Sequence, residues 1–284
     1  MEEYEFITLV VDYLPNFRYM SAAWVSDNLA KIFDDRDDIK WRCAMQAFAY
    51  SASFNQELYD HLRKNGHFIR ALDEKVPQER VVEKVIENGV IAYLCGYESL
   101  ETEDGLIRQI LTRARRNELD EVIRFVRLHR EQTDLANLED KVMRLWPKLR
   151  EVIDTKDFAG RRLASALLTW AGFITEVDDS NRKLILELTQ FAGDNYNGHY
   201  LLEWIARISA TQPNEVITIW QELLQSSAPD YPEQAIREAF ENLIVMHPEG
   251  EGYNHALDIA GLYAKHRKYW PAQWLQEIYE DYRS

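Results

Sequence analysis

PNEVITIWQELLQSSAPDYPEQAIREAFENLIVM, residues 213–246, is the stretch on which the reading of the fold turns. Pro213 and Pro232 each stand at the head of a run in which apolar residues recur at helical spacing. Ile217, Trp220 and Leu224 follow the first, and Ile236 and Leu243 follow the second. Proline suits the first position of a helix, where its missing N–H would have no intrahelical partner. Further along, Pro271 repeats the signal, and the start that would fall between lies near Tyr253, after Gly250 and Gly252. Counted from each start, the fifth position is Ile217, Ile236, Leu257 and Leu275, and the twelfth is Leu224, Leu243, Ala264 and Tyr282. A period of about 39 residues holding two helices matches helical-hairpin repeats, in which each hairpin buries its second face against the next. The spacing therefore predicts an all-α fold of stacked antiparallel hairpins, an α-solenoid. Ile217, Trp220, Leu224, Ile236, Leu243 and Leu257 should form its buried stripe.

Working towards the N-terminus, the same spacing of three and four continues. It runs through Phe6, Val10 and Tyr13, then Trp24, Leu29 and Ile32, then Trp41, Met45 and Phe48, then Leu58, Leu62, Ile69 and Leu72. Pro77 reads as another helix start, with Gly89 and Gly96 weakening or ending that helix. The whole chain reads as roughly 14 helices and no strand. Its acidic loop at 97–105 suggests an N-terminal helical part, 1–103, and a C-terminal helical-repeat part, 104–284, continuous with the first. Asp179 or Ser180 is expected to cap one later helix and Asn117 another. Only 11 glycines and 8 prolines occur in 284 residues, too few for the many turns of an all-β chain. Eight tryptophans are spread along the full length, as a layered stack would require.

Composition narrows function by class. Hydrophobic residues make up 46% and charged residues 29%, which is globular composition. The formal net charge of −15 repels phosphate backbones and anionic lipid, so nucleic acid is an unlikely partner. The longest apolar run, 163–174, is too short to cross a bilayer and suits a buried helix. An acidic start, Met1-Glu2-Glu3, is unlike a secretory signal. Two cysteines, Cys43 and Cys95, sit among apolar neighbours and read as buried thiols of a reducing compartment, giving a cytoplasmic expectation.

Catalytic signatures are sparse. There is no phosphate-binding glycine loop, no nucleophile elbow, no H-E-x-x-H and no paired C-x-x-C. His199 and Glu203 share a helical face but lack further ligands, while His255 and His266 stand too far apart for one ion. The run Asp34-Asp35-Arg36-Asp37-Asp38 lacks the glycine of a calcium loop and reads as a solvated turn that caps the next helix. No cofactor, metal or catalytic residue is expected, and the chain reads as a non-enzyme.

Residues 108–130 reverse the charge of the rest. Arg108, Arg113, Arg115, Arg116, Arg124, Arg127 and Arg130 outnumber Glu118, Asp120 and Glu121. Arginine forks pair with carboxylate or phosphate, so Arg108, Arg115, Arg124 and Arg127 are the candidate anchors for a protein partner with an acidic segment. Internal pairing within this acidic chain is the competing reading. Trp270 and Trp274, in an aromatic C-terminal helix, are the second candidate contact, or else an end seal for the stack.

The segment 41–72, WRCAMQAFAYSASFNQELYDHLRKNGHFIRAL, resembles a helix pair in the C-terminal helical regions of bacterial STAND-type NTPases and sirtuin-type defence proteins. Trp41, Phe48, Leu58, Leu62, Phe68, Ala71 and Leu72 carry the likeness. Ala47 departs from it, because a glycine is expected before the aromatic. The resemblance implies a HEAT- or TPR-like sensing or docking module of a bacterial defence assembly, and no catalysis. The expected function is a non-catalytic protein–protein interaction scaffold. The alternatives are a nucleic-acid-associated helical repeat using the 108–130 face and an enzyme of a helical family without a sequence signature.

Overall fold

The computed structural model describes residues 3–51, 54–74, 79–130, 137–194, 197–246 and 250–283. Among the described residues there are 17 α-helices, two 3-10 helices and no strand. The excess over 14 comes from short helices that the periodicity merges, such as the first two, which a kink at Tyr13 separates. The helix start expected at Pro77 lies outside the described residues.

Two compact units form, 1–136 and 137–284. The first holds α1 (Glu3–Asp12), α2 (Leu14–Met20), α3 (Ala22–Ile32), α4 (Asp38–Ala49), α5 (Gln56–Lys64), α6 (His67–Asp73), α7 (Glu79–Cys95), α8 (Leu106–Arg113) and α9 (Arg116–Leu128). Side chains start several of these locally. Ser21, Asp37 and Asn55 each accept a backbone N–H of the first turn that follows, at α3, α4 and α5. The Asp34–Asp38 run thus includes a helix cap. Helix α1 packs on α4, α4 on α7, and α7 on α8 and α9.

The division falls later than 103 because the acidic loop is itself anchored. Glu98 is buried. It accepts the Tyr59 hydroxyl at 2.6 Å and the N–H groups of Leu106 and Ile107 at 3.0 Å, which open α8. A carboxylate at that helix start satisfies donors that have no intrahelical acceptor. Gly89 does not break α7. It lets α8 approach, since a Cβ there would stand 2.9 Å from Leu106 Cδ2. Asn117 lies inside α9, whose cap position is Arg115.

The second unit holds α10 (Leu138–Val152), α11 (Phe158–Leu167), a 3-10 helix (Leu168–Phe173), α12 (Asp179–Thr189), a short 3-10 helix (Ala192–Asp194), α13 (Gly198–Ser209), α14 (Pro213–Ser226), α15 (Glu233–Met246), α16 (Glu251–Lys265) and α17 (Trp270–Arg283). From α12 onwards each helix touches the next but one. Helix α12 packs on α14 and α14 on α16, while α13 packs on α15 and α15 on α17. The cap of α12 is Asp178, one residue before the expected Asp179, in a reciprocal capping box with Asn181.

Pro213 is the first residue of α14, whereas Pro232 immediately precedes α15 and Pro271 is the second residue of α17. Ile217, Trp220, Leu224, Ile236 and Leu243 are buried. Leu257 is not, at 49% exposure. Helix α16 begins at Glu251, before the start inferred near Tyr253, so its buried face is Ala256, Ile259, Ala260 and Tyr263. The cysteines also depart from expectation: Cys43 is half-buried and Cys95 exposed, because α7 turns its other faces to the core. The apolar run at 163–174 is buried as the end of α11 and the 3-10 helix after it. No helix among the described residues is long and apolar enough to cross a membrane.

Gly160 has a packing role. Its N–H donates to the cap Asp157 at 2.9 Å, and a Cβ there would overlap the Asp154 carbonyl oxygen, a backbone atom that cannot swing aside. Gly160→Ala should lower stability by about 1–3 kcal/mol, the usual cost of overpacking. Urea unfolding checks this, and an unchanged midpoint would show that the turn at 154–160 yields freely.

Candidate functional site

The arginine island is largely occupied from within its own unit. Arg115 donates to the Leu72 carbonyl at 2.9 Å and to Asp73 at 2.7 Å. Arg113 pairs with Asp73 at 3.0 Å and with the buried Glu118 at 3.0 Å. Arg124 makes a two-pronged contact with Glu121, at 2.6 and 2.8 Å. Arg108 is exposed and donates to the Glu101 carbonyl at 3.0 Å; Arg116, Arg127 and Arg130 are engaged as well. The hydrogen bonds hold Asp73 below the ordinary carboxylate range, whereas burial raises Glu121 despite Arg124.

At the other end of the chain, Trp270 and Trp274 are half-buried. The Arg237 guanidinium stands 5.2 Å from the centre of the Trp274 ring, and Lys268 Nζ 5.9 Å from that of Trp270. Each ring thus has a cation from its own unit over it. His199 lies against Tyr200, the rings tilted with centres 3.9 Å apart, and shares a cleft of about 560 Å³ with His266, Asp230, Tyr231 and Lys268. Lys268 is held there by Asp230 at 2.8 Å, and His266 Nε2 lies 2.7 Å from the Leu224 carbonyl. Among the described residues no group of His, Cys, Asp and Glu has the arrangement of a metal site.

The feature that the sequence reading did not single out is at the N-terminus. Ile7, Val10, Val11 and Leu14 point into the first unit and are buried. Phe6, Leu9 and Tyr13, spaced three and four apart, form a second apolar stripe on the outer side of α1 and are exposed. In the helices that follow, Tyr19 at 95%, Met20 at 79% and Trp24 are exposed as well. Trp24 leans on Phe17 with ring centres 5.4 Å apart. Beneath α1–α3 lies an apolar pocket of about 140 Å³, lined by Val11, Leu14, Val25, Leu29, Phe48 and Leu58. That volume is close to one able to hold a benzene-sized group. Arg18 and Glu57, also in its lining, form an ion pair at 3.5 Å. A signal for this face was present in the sequence: Phe6 and Tyr13 cannot lie on the same face of one helix as Ile7 and Val11.

Another cavity, of about 440 Å³, is lined by Ala49 at the end of α4 with Tyr50 and Ser51 after it, by Arg80, Lys84, Glu87 and Ile91 of α7, and by Phe125 and His129 from α9 and its end. Lys84 is buried.

Comparison of the chain with protein-family models, with curated proteins and with solved structures returns no match.

Proposed function

We propose that this chain is a non-catalytic protein-interaction module that docks a partner on the apolar outer side of α1–α3. The observation that carries the reading is the exposed run Phe6, Leu9, Tyr13, Tyr19, Met20 and Trp24 beside a fully used inner face. A helix apolar all round belongs in an interior. Clustered exposed aromatics mark contact surfaces, where large rings bind at low entropic cost. The charged residues exposed on α1–α3 are Glu5, Asp12 and Asp27 against Lys31, an acidic excess in a chain of net charge −15, so the fitting partner is an amphipathic segment with an apolar stripe and basic flanks. The acidic partner segment expected from the arginine island has weaker support, because Arg113, Arg115 and Arg124 already hold Asp73, Glu118 and Glu121. The same pairing and the net charge weigh against a nucleic-acid role.

The alternating contacts from α12 to α17 support reading the second unit as a stack of helical hairpins, the architecture of many docking scaffolds. The likeness of residues 41–72 to helical regions of bacterial defence proteins is the ground for proposing a defence assembly as its setting.

The test is binding of a fluorescent leucine/lysine amphipathic helix, compared between wild type and Leu9→Glu/Tyr19→Glu/Met20→Glu. Circular dichroism confirms the fold of each. The variant is more acidic, so simple charge attraction would strengthen binding. Docking on the apolar face predicts at least a tenfold weaker affinity instead, roughly 1.4 kcal/mol or more. Unchanged or tighter binding would overturn the assignment.

A further inference from the structure

We propose that Lys84 is a reactive amine site, forming an imine with a small aldehyde of apolar body in the cavity between α4, α7 and α9. This stands apart from the docking reading, which involves other helices.

The geometry is that of a lysine kept from its usual partners. Lys84 is only 8% exposed, yet among the described residues its Nζ makes no hydrogen bond and no ion pair. The carboxylates of the neighbourhood are taken by arginines. Arg80 holds Glu87 at 2.7 Å and Glu83 at 3.1 Å, and Arg124 holds Glu121 at 2.6 Å. Lys84 lines a cavity of about 440 Å³, within the size range of small-molecule sites, whose walls combine the apolar Ala49, Ile91 and Phe125 with the polar Ser51, Arg80 and Glu87. His129 also lines it, its ring stacked on Phe125 with centres 4.0 Å apart.

The charges facing the amine work in both directions. Burial lowers its pKa below the ordinary lysine value, and Arg80 lowers it further, while Glu87 opposes. Burial dominates because Glu87 spends its charge on Arg80. A lysine so placed is neutral, and so nucleophilic, in a larger fraction at neutral pH than one in water. An aldehyde fits this amine: Nζ attacks the carbonyl carbon, the C–O bond breaks, and a C=N bond forms. Both amine hydrogens leave with the oxygen as one water, and no oxidant or reductant is needed. Ala49, Ile91 and Phe125 offer apolar contact to the body of the aldehyde.

The experiment incubates the intact protein at pH 7 with benzaldehyde and sodium cyanoborohydride, which fixes any imine as a stable secondary amine. Peptide mass spectrometry then gives a rate for each lysine. Lys84 should be modified at least tenfold faster than the exposed Lys31 and Lys148, and its rate–pH profile should turn at lower pH than theirs. Lys84→Arg should remove this fast adduct and leave the slow ones. A parallel run with propanal removes ring size as a reason for failure. If Lys84 reacts no faster than Lys31 and Lys148 with either aldehyde, it is a packing lysine and the proposal falls.

Discussion

Truncating Trp220 to alanine is expected to destabilise the second unit by about 3–5 kcal/mol, the cost of removing a fully buried large aromatic. Trp220 has no exposed surface. Its ring stacks on Phe240, with centres 5.1 Å apart, and meets Tyr263 edge-on at 6.4 Å. Its Nε1–H donates to the Tyr263 hydroxyl at 3.2 Å, and that hydroxyl donates onward to the Pro229 carbonyl at 2.9 Å. Alanine would leave a cavity among α14, α15 and α16 and take a donor from a buried hydroxyl. Trp220→Phe separates the two contributions: it keeps most of the ring and loses the hydrogen bond, at a cost nearer 1–2 kcal/mol. Urea unfolding measures both. A Trp220→Ala variant with the wild-type midpoint would mean that these three helices do not share a core.

Acid should weaken the first unit through His67, by about 3 kcal/mol in all. His67 is buried, and its Nδ1 accepts the Trp41 Nε1–H at 3.1 Å. Protonation would set one donor against another in a dry site. Burial, with the adjacent His61 as a lesser cause and Asp35 opposing, pushes its pKa from the ordinary 6.5 down to about 4. A pKa depressed in the folded state means that the unfolded chain binds the proton first. The contribution is therefore complete above pH 6.5, is lost as pH falls from 6.5 to about 4, and changes no further below that. His61 is shifted the same way by burial. Glu98 and Glu121, raised by burial, give the opposite slope, favouring the folded state as pH falls towards 4.5. Asp38 and Asp73 are lowered by their arginines and act below this window. The informative quantity is thus the difference between wild type and His67→Gln, whose amide oxygen can still accept from Trp41 but cannot take a proton. That difference should change by about 3 kcal/mol between pH 7 and pH 4 in urea titrations. Parallel curves would show that His67 does not carry the acid sensitivity.

Much of the helical content was legible because helix periodicity is local. Ile217, Trp220 and Leu224 share a face through their spacing alone, and Pro213 marks the helix start through its own ring. Reading failed where one or two residues of phase mattered. Placing the start of α16 near Tyr253 instead of Glu251 put Leu257 on the buried face. Loop composition misled in another way. The acidic stretch 97–105 read as a loop marking a division of the chain, yet Glu98 is drawn inside by the hydroxyl of Tyr59, 39 residues earlier, and by the start of α8.

The candidate sites were less legible. The arginines of 108–130 were visible as a basic island, but Asp73, which takes Arg113 and Arg115, lies some forty residues earlier in the chain. Lys84 looked like any helical lysine, since only the packing of α4 and α9 against α7 buries it.

The sequence by itself determined an all-α chain, the position of its strongest helix starts and most of the apolar stripe around Trp220. These follow from side-chain volume, proline geometry and spacing, which act within a few residues. Only the tertiary structure decided which apolar stripe is covered, which arginine meets which carboxylate and which lysine is cut off from both. Burial and charge pairing depend on what arrives from distant parts of the chain. Phe6 and Val10 are equally hydrophobic to a reader of the sequence, and only the packing of α1 on α4 leaves one exposed and the other in the core.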